Sequence, residues 1–257
     1  IGMLQLEKWQ GLLTILSAWI TFYCPTIEHL TTGKMIFRGG LSNPTEALLV
    51  VQLVTLFTAW YPTVWSRDIG SAFGLMPVQL NSLVVAGGVI GAGIAIYSSM
   101  MSIYAHVKGD KQKFRAALQG FLPLAFVVVC AVAWLMLSPF KPISNAYRQF
   151  PVLTLATVAC PWLYSIIRII ISEIQLIEFD VAGVLVGQLG LVIPVLAVHL
   201  FPINIAASIE VPAMILSLLI SGTMLAYTVS QVVGQTCTAL GMRHFYSIPK
   251  FERATKA

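Results

Sequence analysis

About seven stretches of this chain are apolar for some twenty residues or more, and the charged residues lie in the gaps between them. A helix needs about 20 mostly apolar residues to cross the hydrocarbon core of a bilayer. A backbone surrounded by lipid must satisfy its own hydrogen bonds, so each stretch is predicted to be helical. The pattern predicts an all-α, polytopic membrane protein forming one transmembrane domain over residues 1–257, with spans at 9–27, 47–65, 78–107, 116–138, 151–172, 180–201 and 211–240.

The composition supports a membrane protein and argues against a nucleic-acid partner. The chain is 58% hydrophobic and 10% charged, whereas a water-soluble domain has about 25% charged residues. The net charge of +5 is better explained by basic loops that orient the spans, because no aromatic residues alternate with basic ones outside the spans. The four cysteines have neither metal-ligand spacing nor a disulfide pattern, and they are predicted to be small buried hydrophobes: Cys24, Cys130, Cys160 and Cys237.

The basic residues are distributed unequally between the two sides of the predicted membrane. Ten of the fifteen lysines and arginines lie on the side that holds the C-terminus, and only Arg168 lies inside a span. The excess of positive charge predicts that the C-terminus faces the cytosol, or the matrix if the membrane is the mitochondrial inner membrane. The endoplasmic reticulum is the other location that we consider.

Small residues recur at four-residue spacing in two spans. The third span has Gly87 with Gly91, and also Gly88 with Ala92, while the sixth has the single pair Gly183 and Gly187. Small residues at this spacing allow two membrane helices to approach closely. Packing within this chain is the favoured interpretation, and a dimer interface is the alternative. The glycine run lacks the Lys-Ser/Thr ending of a phosphate-binding loop.

Arg168 is the cation that the pattern places inside the membrane, near the end of the fifth span. It could extend its side chain to the interface. Alternatively, it could hold a lipid phosphate or pair with an acid of another helix, since Glu173, Glu178 and Asp180 follow closely. His199, near the end of the sixth span, is interpreted as a hydrogen-bonded structural residue.

The acidic residues do not form a recognisable catalytic or metal-binding motif. The three aspartates, Asp68, Asp110 and Asp180, are 42 and 70 residues apart, and none shares a helix face with another. A divalent-metal site for phosphate chemistry needs several carboxylates close together. The sequence also lacks zinc-ligand spacing and a convincing Ser-His-Asp set. We therefore predict no catalytic residue and no metal ligand in this chain.

One segment resembles a known enzyme family. The run from Phe22 to Met35 reads Phe-Tyr-Cys-Pro-Thr-Ile-Glu-His-Leu-Thr-Thr-Gly-Lys-Met. It resembles the Trp-Glu-x-Tyr-x-Thr-Gly stretch of eukaryotic choline and ethanolamine phosphotransferases. Glu28, Thr32 and Gly33 match, whereas isoleucine and leucine replace the tryptophan and the tyrosine. Two later stretches, 150–173 and 227–248, are similar to later helices of that family and follow in the same order.

The resemblance implies a chain related to the CDP-alcohol phosphotransferase superfamily. Its members transfer phosphocholine or phosphoethanolamine from a CDP-alcohol to diacylglycerol and use magnesium or manganese. Their signature, Asp-Gly-x-x-Ala-Arg and then Gly-x-x-x-Asp-x-x-x-Asp, lies upstream of the matched stretch, which here begins too early to leave room for it. Asp68-Ile69-Gly70-Ser71-Ala72-Phe73 is only a superficial echo. The resemblance thus implies the C-terminal seven helices of such an enzyme, without its metal centre.

Two functional hypotheses follow. In the first, the chain is non-catalytic, because phosphoryl transfer depends on metal charge stabilisation, and it is a lipid-contacting subunit of a larger membrane complex. Its partners would be phospholipids and other proteins or a second copy, with lipid contacts at Glu28, Thr32, Gly33 and Arg168. In the second, it is the C-terminal part of an active enzyme making phosphatidylcholine or phosphatidylethanolamine, with magnesium or manganese bound elsewhere and Glu28 orienting the acceptor hydroxyl. A transporter is disfavoured because the spans show no inverted repeat.

Overall fold

The described residues of the computed structural model form a bundle of helices. They comprise 8–33, 79–136, 149–175 and 177–239, together with 53, 56–58, 60, 61, 63–68 and 70. The helices are α1 (Lys8–Thr32), α2 (Leu80–Val107), α3 (Lys111–Gln119), α4 (Leu122–Leu135), α5 (Pro151–Gln175), α6 (Val181–Gln188), α7 (Val192–Leu200) and α8 (Ile203–Ala239). Two 3₁₀ turns, Val64–Ser66 and Leu189–Leu191, and an isolated bridge between Asp68 and Gln79 complete the described elements. The all-α prediction is confirmed for this part of the chain.

Among the described residues, four helical segments are long and apolar enough to cross a membrane: Leu80–Val107, Pro151–Gln175, Val181–Leu200 and Ser208–Thr238. A fifth is present if α3 and α4, which meet at a bend of 43°, are taken as one span. These helices support an integral membrane protein. The predicted total of seven spans is not shown, and the predicted span 47–65 lies largely outside the described residues.

The first predicted span, 9–27, forms a helix but is not among the segments that are apolar enough to span a membrane. The physical reason is a set of polar side chains along α1 that are buried in the bundle: Gln10, Ser17, Thr26 and Glu28. Because α1 packs against α2, α4 and α5, it can direct polar groups towards other helices. A helix that is surrounded by other helices can carry polar side chains on the faces that do not contact lipid.

α1 and α2 run parallel to each other. Near their beginnings, Gln10 Nε2 donates a hydrogen bond to Ser82 Oγ at 3.1 Å. Near their ends, Ser99 Oγ donates to Glu28 Oε2 at 2.9 Å. The contacts therefore follow the same order along both helices, so the end of α1 and the beginning of α2 lie at opposite ends of the bundle.

α5 runs in the same direction as α1. The indole rings of Trp19 and Trp162 stack at 5.0 Å between their centroids. One end of the same interface brings His29 of α1 against the carboxylate of Glu173. The C-terminal turns of α1, α2 and α5 consequently lie together with α3 and residues 177–180, and we call this region the polar end of the bundle.

α4 and the α6–α7 pair run in the opposite direction. The hydroxyl of Tyr23 donates to the carbonyl of Gly120, at the corner where α3 meets α4, at 2.9 Å. At the far end of the bundle, His199 Nε2 lies 2.9 Å from the carbonyl oxygen of Ala133, so His199 has the structural hydrogen bond that its position suggested. The core lies between these antiparallel layers and includes Leu12, Leu16, Tyr23, Ile27, Ile103, Trp134, Val158, Ile169 and Leu191.

Candidate functional site at the polar end of the bundle

The three residues that carry the family resemblance lie at the end of α1: Glu28 and Thr32 on the helix and Gly33 directly after it. Gly33 has a φ of +65°, and its N–H donates to the carbonyl of His29 at 2.8 Å. This left-handed conformation is the usual glycine ending of a helix. Thr32 Oγ1 donates to the carbonyl of Glu28 at 2.8 Å. Gly33 and Thr32 therefore have structural tasks at the end of α1.

Glu28 is buried between α1 and α2, with 5% of its surface exposed. Its Oε2 accepts a hydrogen bond from the hydroxyl of Ser99, which is itself 1% exposed. A carboxylate in such a position is costly to desolvate, so its hydrogen bonds contribute strongly to holding the two helices in register. The geometry brings Glu28 into a helix interface.

Removing the hydroxyl of Ser99 tests this contact. We expect Ser99→Ala to lower the free energy of unfolding by about 1–2 kcal/mol, because the buried carboxylate of Glu28 loses a donor. Thermal unfolding of the purified chain in detergent measures the change. Ser98→Ala is the matched control, since the hydroxyl of Ser98 bonds to the carbonyl of Ala95 in its own helix. Equal effects of the two substitutions would contradict a special role for the Glu28 contact.

Arg168 lies beside an acid of the next helix. Its Nη2 is 3.9 Å from Asp180 Oδ2, and about a third of its side chain is exposed. Asp180 also caps α6, because its Oδ1 accepts from the N–H of Gly183 at 2.9 Å. A partly exposed pair at this distance contributes little to stability. The guanidinium therefore keeps capacity for a second anion.

An open groove of about 540 Å³ lies next to this pair. It runs between the α3–α4 corner and the start of α6, and it is lined by Gln119, Leu122, Glu178, Phe179, Asp180, Val181, Ala182 and Leu185.

Within the described residues, no group of three or more His, Cys, Asp or Glu side chains could hold a metal ion. Two of the three aspartates act as helix caps: Asp180 on α6, and Asp110, which accepts from the N–H groups of Gln112 and Lys113 on α3.

One buried acid and its partner were not predicted from the sequence. Glu210 Oε1 accepts a hydrogen bond from the indole N–H of Trp134 at 3.0 Å, and both side chains are buried. The predicted seventh span begins at 211, which placed Glu210 outside it, whereas α8 begins at Ile203. The signal was present, since this acid interrupts an otherwise apolar run.

Gln188 is a second buried polar residue that the pattern did not identify. Its amide nitrogen donates to Ser165 Oγ and to the carbonyl of Pro161 in α5. The side chain is fully buried at the end of α6, just before the 3₁₀ turn that leads into α7. It therefore links the end of α6 to the proline-containing turn of α5.

The predicted packing glycines have different surroundings. A Cβ at Gly187 would overlap the ring of Tyr164 on α5, so the backbone of α6 lies directly against that ring. A Cβ at Gly183 would overlap the capping carboxylate of Asp180 within its own turn. Gly87 and Gly91 have no atom within 4 Å of a Cβ position. The neighbouring pair, Gly88 and Ala92, faces α1 instead.

The four cysteines are free thiols. Cys24 and Cys130 are buried, and Cys160 and Cys237 are half-buried. They contribute apolar surface to the bundle, as their positions in apolar stretches suggested.

The exposed side of α2 carries a continuous apolar stripe. Its residues follow one another at intervals of four and three: Leu83, Gly87, Ile90, Ile94, Tyr97, Met101 and Tyr104. This is the spacing of a helix-packing seam. α2 thus has one face against α1 and a second, seam-like face that is exposed within the described residues, although the ring of Tyr104 at its end contacts α3.

No protein-family model, curated protein or solved structure matches this chain.

Proposed function

We propose that this chain is a non-catalytic, lipid-contacting structural subunit of a larger membrane complex, related to the CDP-alcohol phosphotransferases. The observation that carries the proposal is the exposed seam of α2 (the stripe from Leu83 to Tyr104). A seam of this spacing fits a neighbouring transmembrane helix, and Gly87 lets such a helix approach closely. The partner would be a helix of another subunit or of a second copy.

The buried carboxylates support a structural task. Glu28 is used between α1 and α2, and Glu210 is used between α4 and α8. In both cases the hydrogen bond joins residues more than 70 positions apart. Such contacts specify how helices pack in a membrane, where the hydrophobic effect does not distinguish a helix surface from lipid.

Gly87→Trp tests the seam. We expect the variant to leave unfolding of the isolated chain unchanged and to separate the chain from its native complex on mild solubilisation. Gly222→Trp on α8 is the matched control, because Gly222 also has no atom within 4 Å of a Cβ position. Loss of stability in the isolated Gly87→Trp chain would show that this chain covers the seam itself. An unchanged complex would contradict the subunit role.

An assay with CDP-choline or CDP-ethanolamine, diacylglycerol and Mg²⁺ or Mn²⁺ tests the alternative enzyme. The alternative is supported by Glu28, Thr32 and Gly33, which match the family's stretch and lie together at the end of α1. Turnover by the purified chain would contradict the non-catalytic proposal. A transcript that encodes the aspartate signature upstream of Ile1 would favour the C-terminal part of an active phosphotransferase.

Arg168→Ala tests the proposed lipid contact. We expect about fivefold weaker retention of phospholipid during purification, because one cation near the head groups contributes about 1 kcal/mol. Lipid mass spectrometry measures the retained amount, and Arg168→Lys, which keeps the charge, is the control. Unchanged lipid content would leave the contact with Asp180 as the task of this arginine.

A further inference from the structure

α3 is a short amphipathic helix held on the polar end of the bundle. Its half-buried residues, Phe114, Ala117 and Leu118, are spaced three and four positions apart and form one face. The ring of Phe114 makes an edge-on contact with Tyr104 at 5.6 Å between the centroids. The hydrogen bond from Tyr23 to Gly120 fixes the corner after α3. The apolar face of α3 is therefore used against the protein.

Exposed basic side chains lie in the turn before α3 and on both flanks of its apolar face. This basic patch consists of Lys108, Lys111, Lys113 and Arg115. Asp110 is the one acid within the stretch 108–115, and its Oδ1 caps the helix. Four cations and one acid give the stretch a formal charge of +3.

The position of α3 relative to the spans determines which part of the bilayer lies next to the basic patch. α3 begins four positions after the end of α2 and ends three positions before the start of α4, so it stays where the chain leaves the apolar layer. It meets α4 at 43° and does not extend it straight into solution. Phospholipid head groups occupy this depth, and anionic lipids there attract basic segments next to a span.

From this placement we infer that the basic patch binds anionic phospholipid head groups of the adjoining leaflet. The patch is a fixed surface, because Lys108 and Gly109 adopt positive φ angles of 49° and 81° in the turn and Asp110 caps the next helix. Long side chains can then reach the phosphates while the apolar face stays on the bundle. The inference requires a membrane location but does not depend on the subunit role. An experiment can therefore contradict head-group binding without contradicting the subunit role, and the reverse is also true.

The test measures lipid selectivity directly. The full chain is reconstituted in phosphatidylcholine vesicles that contain a small fraction of spin-labelled phosphatidylserine or spin-labelled phosphatidylcholine. Electron paramagnetic resonance then gives the fraction of each labelled lipid that the protein immobilises. We expect preference for phosphatidylserine in the native chain, at least about fivefold lower preference in Lys111→Gln/Lys113→Gln/Arg115→Gln, and loss of the preference at high salt.

A charge-keeping variant separates charge from structure. Lys111→Arg/Lys113→Arg/Arg115→Lys retains the charge of the patch, and we expect it to keep the native selectivity. Arg67→Gln removes an exposed cation at the opposite end and should also leave most of the preference in place. Native-like selectivity in the glutamine variant would overturn the inference. So would a preference in the native chain that salt does not reduce, because a charge contact between the exposed basic patch and the head groups must weaken as ionic strength rises.

Discussion

Trp134→Ala is expected to lower the free energy of unfolding by about 4 kcal/mol, the largest effect of any single truncation considered for this chain. Trp134 is fully buried in the core of the bundle, and its indole N–H donates to Glu210 at 3.0 Å. The substitution leaves a large cavity and removes a donor from a buried carboxylate. In a membrane protein the packing loss matters most, since close contact between helices drives their association.

One further variant separates the loss of packing from the loss of the hydrogen bond, and a second is a control. Trp134→Phe keeps much of the ring volume but has no N–H, so we expect a loss of about 2 kcal/mol from the hydrogen bond. Trp60→Ala is the control, because the Trp60 side chain is 75% exposed, and it should change stability by less than about 0.5 kcal/mol. Circular dichroism during unfolding in mixed detergent micelles provides the measurement. A result for Trp134→Ala close to that for Trp60→Ala would show that the Trp134–Glu210 contact does not hold α4 to α8.

Gly187→Leu is expected to destabilise the bundle by roughly 3 kcal/mol or more through overpacking. A Cβ at this position would lie 2.8 Å from Cζ of Tyr164, and closer still to Cε1. Tyr164 is 4% exposed, so its ring has little space into which it can move. The expected consequence is that α6 separates from α5 and the hydrogen bonds of Gln188 are strained or lost.

Gly93→Leu is the matched control for this prediction. Gly93 lies on an exposed side of α2 with no atom within 4 Å of a Cβ position. Replacing a helical glycine improves helix propensity by up to about 1 kcal/mol, so the control should be neutral or stabilising. Combining Gly187→Leu with Tyr164→Ala should recover part of the loss. Equal unfolding of the two glycine variants, or no recovery in the double variant, would contradict close contact between Gly187 and Tyr164.

The position of several helices could be predicted from the sequence, because the length of an apolar run is a local property. The predicted spans 78–107 and 180–201 differ by at most two residues at each end from the apolar segments Leu80–Val107 and Val181–Leu200. The beginning of the predicted span 116–138 was predicted less well than its later, more apolar part. There the chain bends near Gly120, so that α3 and α4 form separate helices.

The candidate site could be predicted only in part. Glu28, Thr32 and Gly33 were identified by resemblance, and the structure places them at the end of α1, with Gly33 directly after the helix. Nothing in the order of residues indicated that Ser99 would be the donor to Glu28. Arg168 was noted as an unusual cation, but its 3.9 Å approach to Asp180 was one of several alternatives.

The sequence by itself was enough to predict a membrane environment, the helical class and several of the segments that are apolar enough to span a membrane. These properties depend on runs of neighbouring residues and on the absence of water from the bilayer core. Only the tertiary structure decided that α1 and α2 run parallel, that α1 can bury polar side chains, and that Trp134 meets Glu210. Those outcomes depend on contacts between residues more than 70 positions apart, and a one-dimensional pattern of polarity does not specify which buried polar groups will pair.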